Sequence, residues 1–170
     1  MCSSDLHAGK GVRFIHYSIQ WDHVHMIVEA SNDAALGAAM KGLCVSIARG
    51  LNKLWSRKGR VFRDRYHSQV LKSPRQVREA LRYVLCNAQK HRVLMHPGPD
   101  PLSSGGAFRE WLDVDPASAQ RDPCVQDARH WLVREGWLLH HPLFSTSDVP
   151  ASRRRTASDR KLERRLRRRA

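Results

Sequence analysis

The chain has 170 residues, 41% of them hydrophobic, which suffices for one modest core and an appendage but not for two full domains. Thirty Lys and Arg against 16 Asp and Glu leave a net charge of +14, far beyond what solubility needs, so a phosphate polyanion is the expected partner. No uninterrupted apolar run approaches the roughly 20 residues of a bilayer span, and the N-terminus lacks a signal peptide's charged-then-apolar layout. A membrane is therefore not an expected partner, and the expected location is cytoplasmic.

In chain order, residues 12–20 alternate and are rich in β-formers, and residues 23–30 form a second such run across Trp21 and Asp22. This pattern predicts a tight β-hairpin. Between positions 33 and 54, Leu36, Met40, Leu43, Ile47, Leu51 and Leu54 recur at spacings of three and four, with Asn32 or Asp33 as cap; a long amphipathic helix follows. A basic turn at 56–60 leads to a strand-like stretch at 61–71. Ser73 and Pro74 then supply a cap and a first-turn proline to a second helix, predicted from Pro74 to about His91.

Residues 97–106 are Pro- and Gly-rich loop, and residues 128–139 fit a short helix or helix-turn anchored by Trp131 and Trp137. The stretch 153–169 holds ten Arg or Lys and two acids, a net of +8. It is expected to be disordered, either as a solvated charge run or as a DNA-binding arm. Cys2, Cys44, Cys86 and Cys124 show no C-x-x-C spacing, so neither a zinc ribbon nor a disulfide framework is expected.

Two small constellations carry chemistry. His23 and His25, two apart in a strand, project from one face with a spacing of about 7 Å along the strand, close enough to share an ion. Tyr83 and Asn87, four apart in the second helix, share a face and offer a phenol and an amide oxygen. Two imidazoles and an amide oxygen suit a divalent ion with positions left for a phosphate oxygen, Mg²⁺ or Mn²⁺ rather than a thiolate-bound zinc. Tyr83 is then the candidate catalytic nucleophile, with His23, His25 and Asn87 as metal ligands. Tyr66, between Arg65 and His67, is the rival nucleophile, but it has no amide ligand one helical turn away. Arg60, Arg63, Arg65, Lys72 and Arg75 are the candidate DNA-binding residues, as contacts to phosphate.

In three ordered blocks the chain resembles the REP-associated tyrosine transposases, single-tyrosine DNA transposases and endonucleases with a His-hydrophobic-His motif. The first block is residues 14–20 followed by His23-Val24-His25-Met26-Ile27-Val28-Glu29. The second is the basic stretch Gly59-Arg60-Val61-Phe62-Arg63-Asp64-Arg65-Tyr66-His67, and the third is Tyr83-Val84-Leu85-Cys86-Asn87. Together they cover roughly residues 13–91.

The resemblance implies an α+β fold, a ferredoxin-like antiparallel sheet with packed helices and the histidine strand near its centre. It implies cleavage and rejoining of single-stranded DNA hairpins of repeated palindromes through a 5′-phosphotyrosine, at the nucleoid. The expected division is a catalytic domain at 12–92, an extension at 93–150 and the basic tail at 151–170. Family members begin with a further strand and helix, so residues 1–11 are expected to be a truncated or artificial start whose sheet lacks its first strand. Asp22 stands where the family has Asn, offering a carboxylate near the ion, and Ala88 stands where many members have Pro.

A histidine-triad hydrolase needs a third histidine where Ile27 stands, and an amidohydrolase barrel needs about 250 residues; both are disfavoured. The remaining alternative is a non-catalytic or decayed DNA-binding remnant of such a transposase.

Overall fold

Alternation on either side of Trp21-Asp22 produces the expected hairpin: β1 (Val12–Ile19) pairs antiparallel with β2 (Val24–Ala30), from Val12 opposite Ala30 to Ile19 opposite Val24. The computed structural model describes residues 11–87, 98–139 and 142–149. Within them the protein is mixed α/β, with this two-stranded sheet, two α-helices and short 3-10 and π turns. A bulge between Phe14 and His16 shifts the register, so the buried positions of β1 (Val12, Ile15 and Ser18) are three apart rather than two. The outer edge of β1 is met by later chain: Ile19 N donates to Leu102 O at 2.8 Å, and Gln126 N to Phe14 O at 2.8 Å. Among the described residues no further strand pairs with β2.

The first helix, α1 (Asp33–Leu54), is capped by the Asn32 side chain, which accepts from Ala35 N at 2.8 Å. It ends where Ser56 takes a positive φ of 49°, a left-handed conformation that stops helices. Its apolar stripe is less covered than the spacing predicts, because Met40 is its one buried residue and Leu54 is largely exposed. Among the described residues α1 is also long and apolar enough, by length and composition, to cross a membrane. The lack of an uninterrupted apolar run did not suggest this.

The second helix, α2 (Pro74–Leu85), begins on Ser73, whose hydroxyl accepts from Gln76 N, with Pro74 in the first turn. Val77, Leu81, Val84 and Leu85 form one buried stripe that meets Ile15 and Ile27 of the hairpin. The helix is interrupted after Leu85 by Cys86, its C-cap, and Asn87 is again helical; from residue 88 the expectation of a helix to about His91 lies outside the described residues. No strand forms at 61–71, and residues 57–72 run as irregular chain, since among the described residues no neighbouring strand offers them backbone partners.

Residues 98–149 enter the same core. Phe108 stacks on Phe144 with ring centroids 5.5 Å apart, and Trp111 meets both rings edge-on. Trp137 completes the cluster, and all four rings pack with the α2 stripe. Trp137 is an anchor as expected, but it follows a single π-helical turn, Leu132–Gly136. Trp131 is half-exposed and lies over Gly136, where a Cβ would come within 2.8 Å of its ring. Glu29 joins β2 to this part of the chain by accepting from the backbone of Arg129 and His130 at 2.8 to 3.1 Å. Cys44 and Cys86 are free, whereas Cys124 is disulfide-bonded, contrary to the reading from spacing. The expectations for residues 1–10, 93–97 and the basic tail from 151 lie outside the described residues.

His16 lies half-buried against this packing, which changes its protonation. His16 Nδ1 lies 3.0 Å from Ser104 Oγ, its ring is edge-on to Phe108, and burial lowers its pKa to about 4 against the opposing pull of Asp122. An unfolded chain takes up this proton near pH 6.5 and the folded chain only near 4. The contribution is thus complete above pH 6.5 and is lost as pH falls toward 4, amounting to at most about 3 kcal/mol. Urea midpoints measured between pH 7 and 4 are expected to fall less in His16→Gln than in the unaltered chain; parallel falls would contradict this account.

Candidate active site

The hairpin turn fixes the first histidine. Gln20 N donates to His23 O at 2.8 Å, leaving Trp21 and Asp22 as the two loop residues, so His23 closes the turn and only His25 lies inside β2. Freed from the strand's pleat, His23 leans toward its neighbour. The two Nε2 atoms are 2.9 Å apart and the rings meet edge-on at 4.5 Å, far closer than the about 7 Å that strand spacing predicts.

Asp22 accounts for the orientation of His23. Its Oδ1 lies 2.6 Å from His23 Nδ1, so Nδ1–H donates to the carboxylate and the Nε2 lone pair is turned toward His25. The carboxylate therefore lies on the far side of the imidazole from the shared Nε2 locus. It orients His23 through Nδ1 and lies away from the locus where the two Nε2 atoms meet. Sequence adjacency to His23 was the signal for this role.

Packing of α2 on the hairpin brings the second constellation to the first. The ring centroids of Tyr83 and His25 are 4.9 Å apart at 73°, which makes Asp22, His23, His25 and Tyr83 one continuous chain of contacts. Asn87 lies four residues on, fully buried, and neither its amide oxygen nor its amide nitrogen has a hydrogen-bond partner. A buried amide with both ends unsatisfied costs of the order of 1–3 kcal/mol per group unless something binds it. It makes no hydrogen bond to either imidazole.

These observations test whether the residues fit a divalent ion. Two nitrogens each about 2.1 Å from one ion and at right angles around it would be about 3.0 Å apart, close to the 2.9 Å found. Among the described residues no three His, Cys, Asp or Glu side chains form a metal-binding group. Any third protein ligand to an ion held there would have to be of another kind, and the unsatisfied amide of Asn87 is chemically of that kind.

The other two tyrosines are placed differently. Tyr66 sits by α1, where a Cβ at Gly37 would lie 3.7 Å from its hydroxyl. Burial, with help from Asp122, pushes the Tyr17 hydroxyl up to about 12, which disfavours its phenolate. Burial likewise pushes the Cys86 thiol up to about 12, so it is no nucleophile at neutral pH.

Arg60, Arg63, Arg65, Lys72 and Arg75 are all exposed. Arg60 is committed to local structure, its guanidinium donating to the carbonyls of Phe62 (2.6 Å) and Arg63. Arg57 holds the same turn through Asn52 Oδ1 and Arg60 O. The backbone N–H of Lys72 is taken up by Gln76 Oε1, which leaves its ammonium outside that bond.

Compared with protein-family models, with curated proteins and with solved structures, the chain matches none.

Proposed function

We propose that this protein is a metal-dependent tyrosine transposase, a nuclease that cleaves and rejoins hairpin-containing single-stranded DNA at the nucleoid. The contact of Tyr83 with the His23–His25 pair carries the reading, because residues 58 positions apart meet where the chemistry needs a nucleophile beside two aligned nitrogen ligands. The ferredoxin-like sheet of the family that the motifs resemble belongs to the same proposal, with β1 and β2 as two of its strands.

His23, His25 and Asn87 would hold Mg²⁺ or Mn²⁺, which when bound supplies charge stabilisation to the phosphate under attack. Asp22 keeps His23 in the tautomer whose Nε2 can ligate. Tyr83 Oη forms a bond to phosphorus as the bond from phosphorus to the 3′ oxygen breaks. The phenolic proton leaves to solvent and the 3′ oxygen gains one. A phosphodiester is exchanged for a phosphodiester, so the 5′-phosphotyrosine keeps the bond for a later strand to reclaim without a nucleotide cofactor. The exposed cations at Arg63, Arg65, Lys72 and Arg75, with the net charge of +14, supply affinity for the DNA backbone.

The test is a denaturing-gel search for a covalent protein–DNA adduct on hairpin oligonucleotides with single-stranded flanks. Tyr83→Phe is expected to abolish the adduct while leaving hairpin affinity within about three-fold, since only the attacking hydroxyl is removed. Loss of the adduct in Tyr66→Phe instead would move the nucleophile. Binding with no adduct from the unaltered chain would leave the DNA-binding remnant.

Adduct formation is further expected to stop in EDTA and return with Mg²⁺ or Mn²⁺, and His23→Ala and His25→Ala should each lose it while still binding DNA. Asp22→Ala, which removes an orienting group and no ligand, should weaken Mn²⁺ binding by about 10- to 100-fold in calorimetric titration. An unchanged Mn²⁺ affinity would remove Asp22 from the site.

A further inference from the structure

Trp21 is out of place by every local criterion. It occupies a two-residue hairpin loop, where Asn, Asp and Gly are favoured because they accept positive φ. Ser56 is the sole described non-glycine residue with positive φ, so Trp21 and Asp22 form a turn of the less suited hand. Nor does the indole support the fold, since Trp21 is 93% exposed. The other exposed tryptophans are engaged: Trp55 has the Arg57 guanidinium 5.6 Å from its ring, and Trp131 covers Gly136.

Its position gives the indole a use. Trp21 is two residues before His23, so their Cα atoms are at most about 7 Å apart, and the Gln20–His23 backbone bond holds that separation. A flat apolar surface is thereby presented to solvent at the hairpin tip, two residues from His23, whose Nε2 meets that of His25, the residue in contact with Tyr83. An unpaired nucleobase is the matching partner, since every base has an apolar face that stacks on an aromatic ring and arrives attached to the phosphate that such a site handles.

We propose that Trp21 is a positioning residue that stacks on the unpaired base adjoining the phosphate attacked by Tyr83, and so sets which phosphate enters the site. This rests on the nuclease reading above, but the stacking is measurable without cleavage.

In fluorescence anisotropy, Trp21→Ala is expected to weaken binding of a labelled thymine oligonucleotide about ten-fold relative to the unaltered chain, with Trp21→Phe restoring most of the loss. An oligonucleotide of the same length built only of abasic sites should bind both proteins alike. On a hairpin that yields the adduct, one abasic site next to the cut phosphate should slow adduct formation in the unaltered chain and add nothing to the slowing in Trp21→Ala. Circular dichroism melting should be unchanged in both variants, as the side chain is exposed. Equal affinity of Trp21→Ala and the unaltered chain for the thymine oligonucleotide would overturn the inference, as would an equal loss on the abasic one. An adduct that forms while the two defects on the hairpin add independently would overturn the inference and spare the nuclease reading. Base-dependent loss in Trp21→Ala without any adduct from the unaltered chain would uphold stacking and sink the nuclease reading.

Discussion

The burial of one helical stripe against one hairpin governs the rest of the structure. Val77, Leu81, Val84 and Leu85 recur at four, three and one, so they lie on one side of α2, and that side closes on Ile15 and Ile27. The rotation of α2 about its axis is thereby fixed, and with it the direction of every other side chain it carries. Tyr83 lies between Leu81 and Val84 at the border of the stripe, half-buried, where the same rotation delivers its ring to His25. The meeting of the two constellations is thus a by-product of core packing. A change that turned α2 by one residue would separate them without touching either.

The site also combines two opposed environments. His23 and Asp22 are solvent-facing at the hairpin tip, whereas Asn87 is sealed in the protein with its amide unsatisfied. Solvation lets the carboxylate–imidazole pair exist at little cost, and enclosure makes the unpaired amide an avid partner for whatever reaches it. Tyr83, half-buried, meets the exposed side through His25 and lies four residues before the buried amide.

The parts legible in the sequence are those set by local periodicity. The hairpin, α1 and the start of α2 follow from alternation, three-four spacing, and the Ser73-Pro74 signal. Three parts were not legible. The strand expected at 61–71 requires a neighbouring strand, and composition cannot say whether one is present. The orienting contact of Asp22 depends on the turn's geometry, which decides the nitrogen of His23 that it approaches. Apart from the anchor Trp137, the contribution of residues 98–149 was missed for a related reason: Phe108, Trp111 and Phe144 are too widely and irregularly spaced to show a period, yet with Trp137 they build one aromatic cluster.

The link between Glu29 and the backbone of Arg129 and His130 bears on how the protein can be divided. The strand that carries His25 is clamped at its far end by amides a hundred residues further along, while Phe14 O on the partner strand receives Gln126 N. Cutting the chain behind α2 would keep all four residues of the His–Tyr–Asn set, yet it would strand a half-buried carboxylate and strip four rings from the core beneath them. The His–Tyr–Asn set and the residues that hold it still therefore form one indivisible length of chain, and the short motif block is not a module that can be moved by itself.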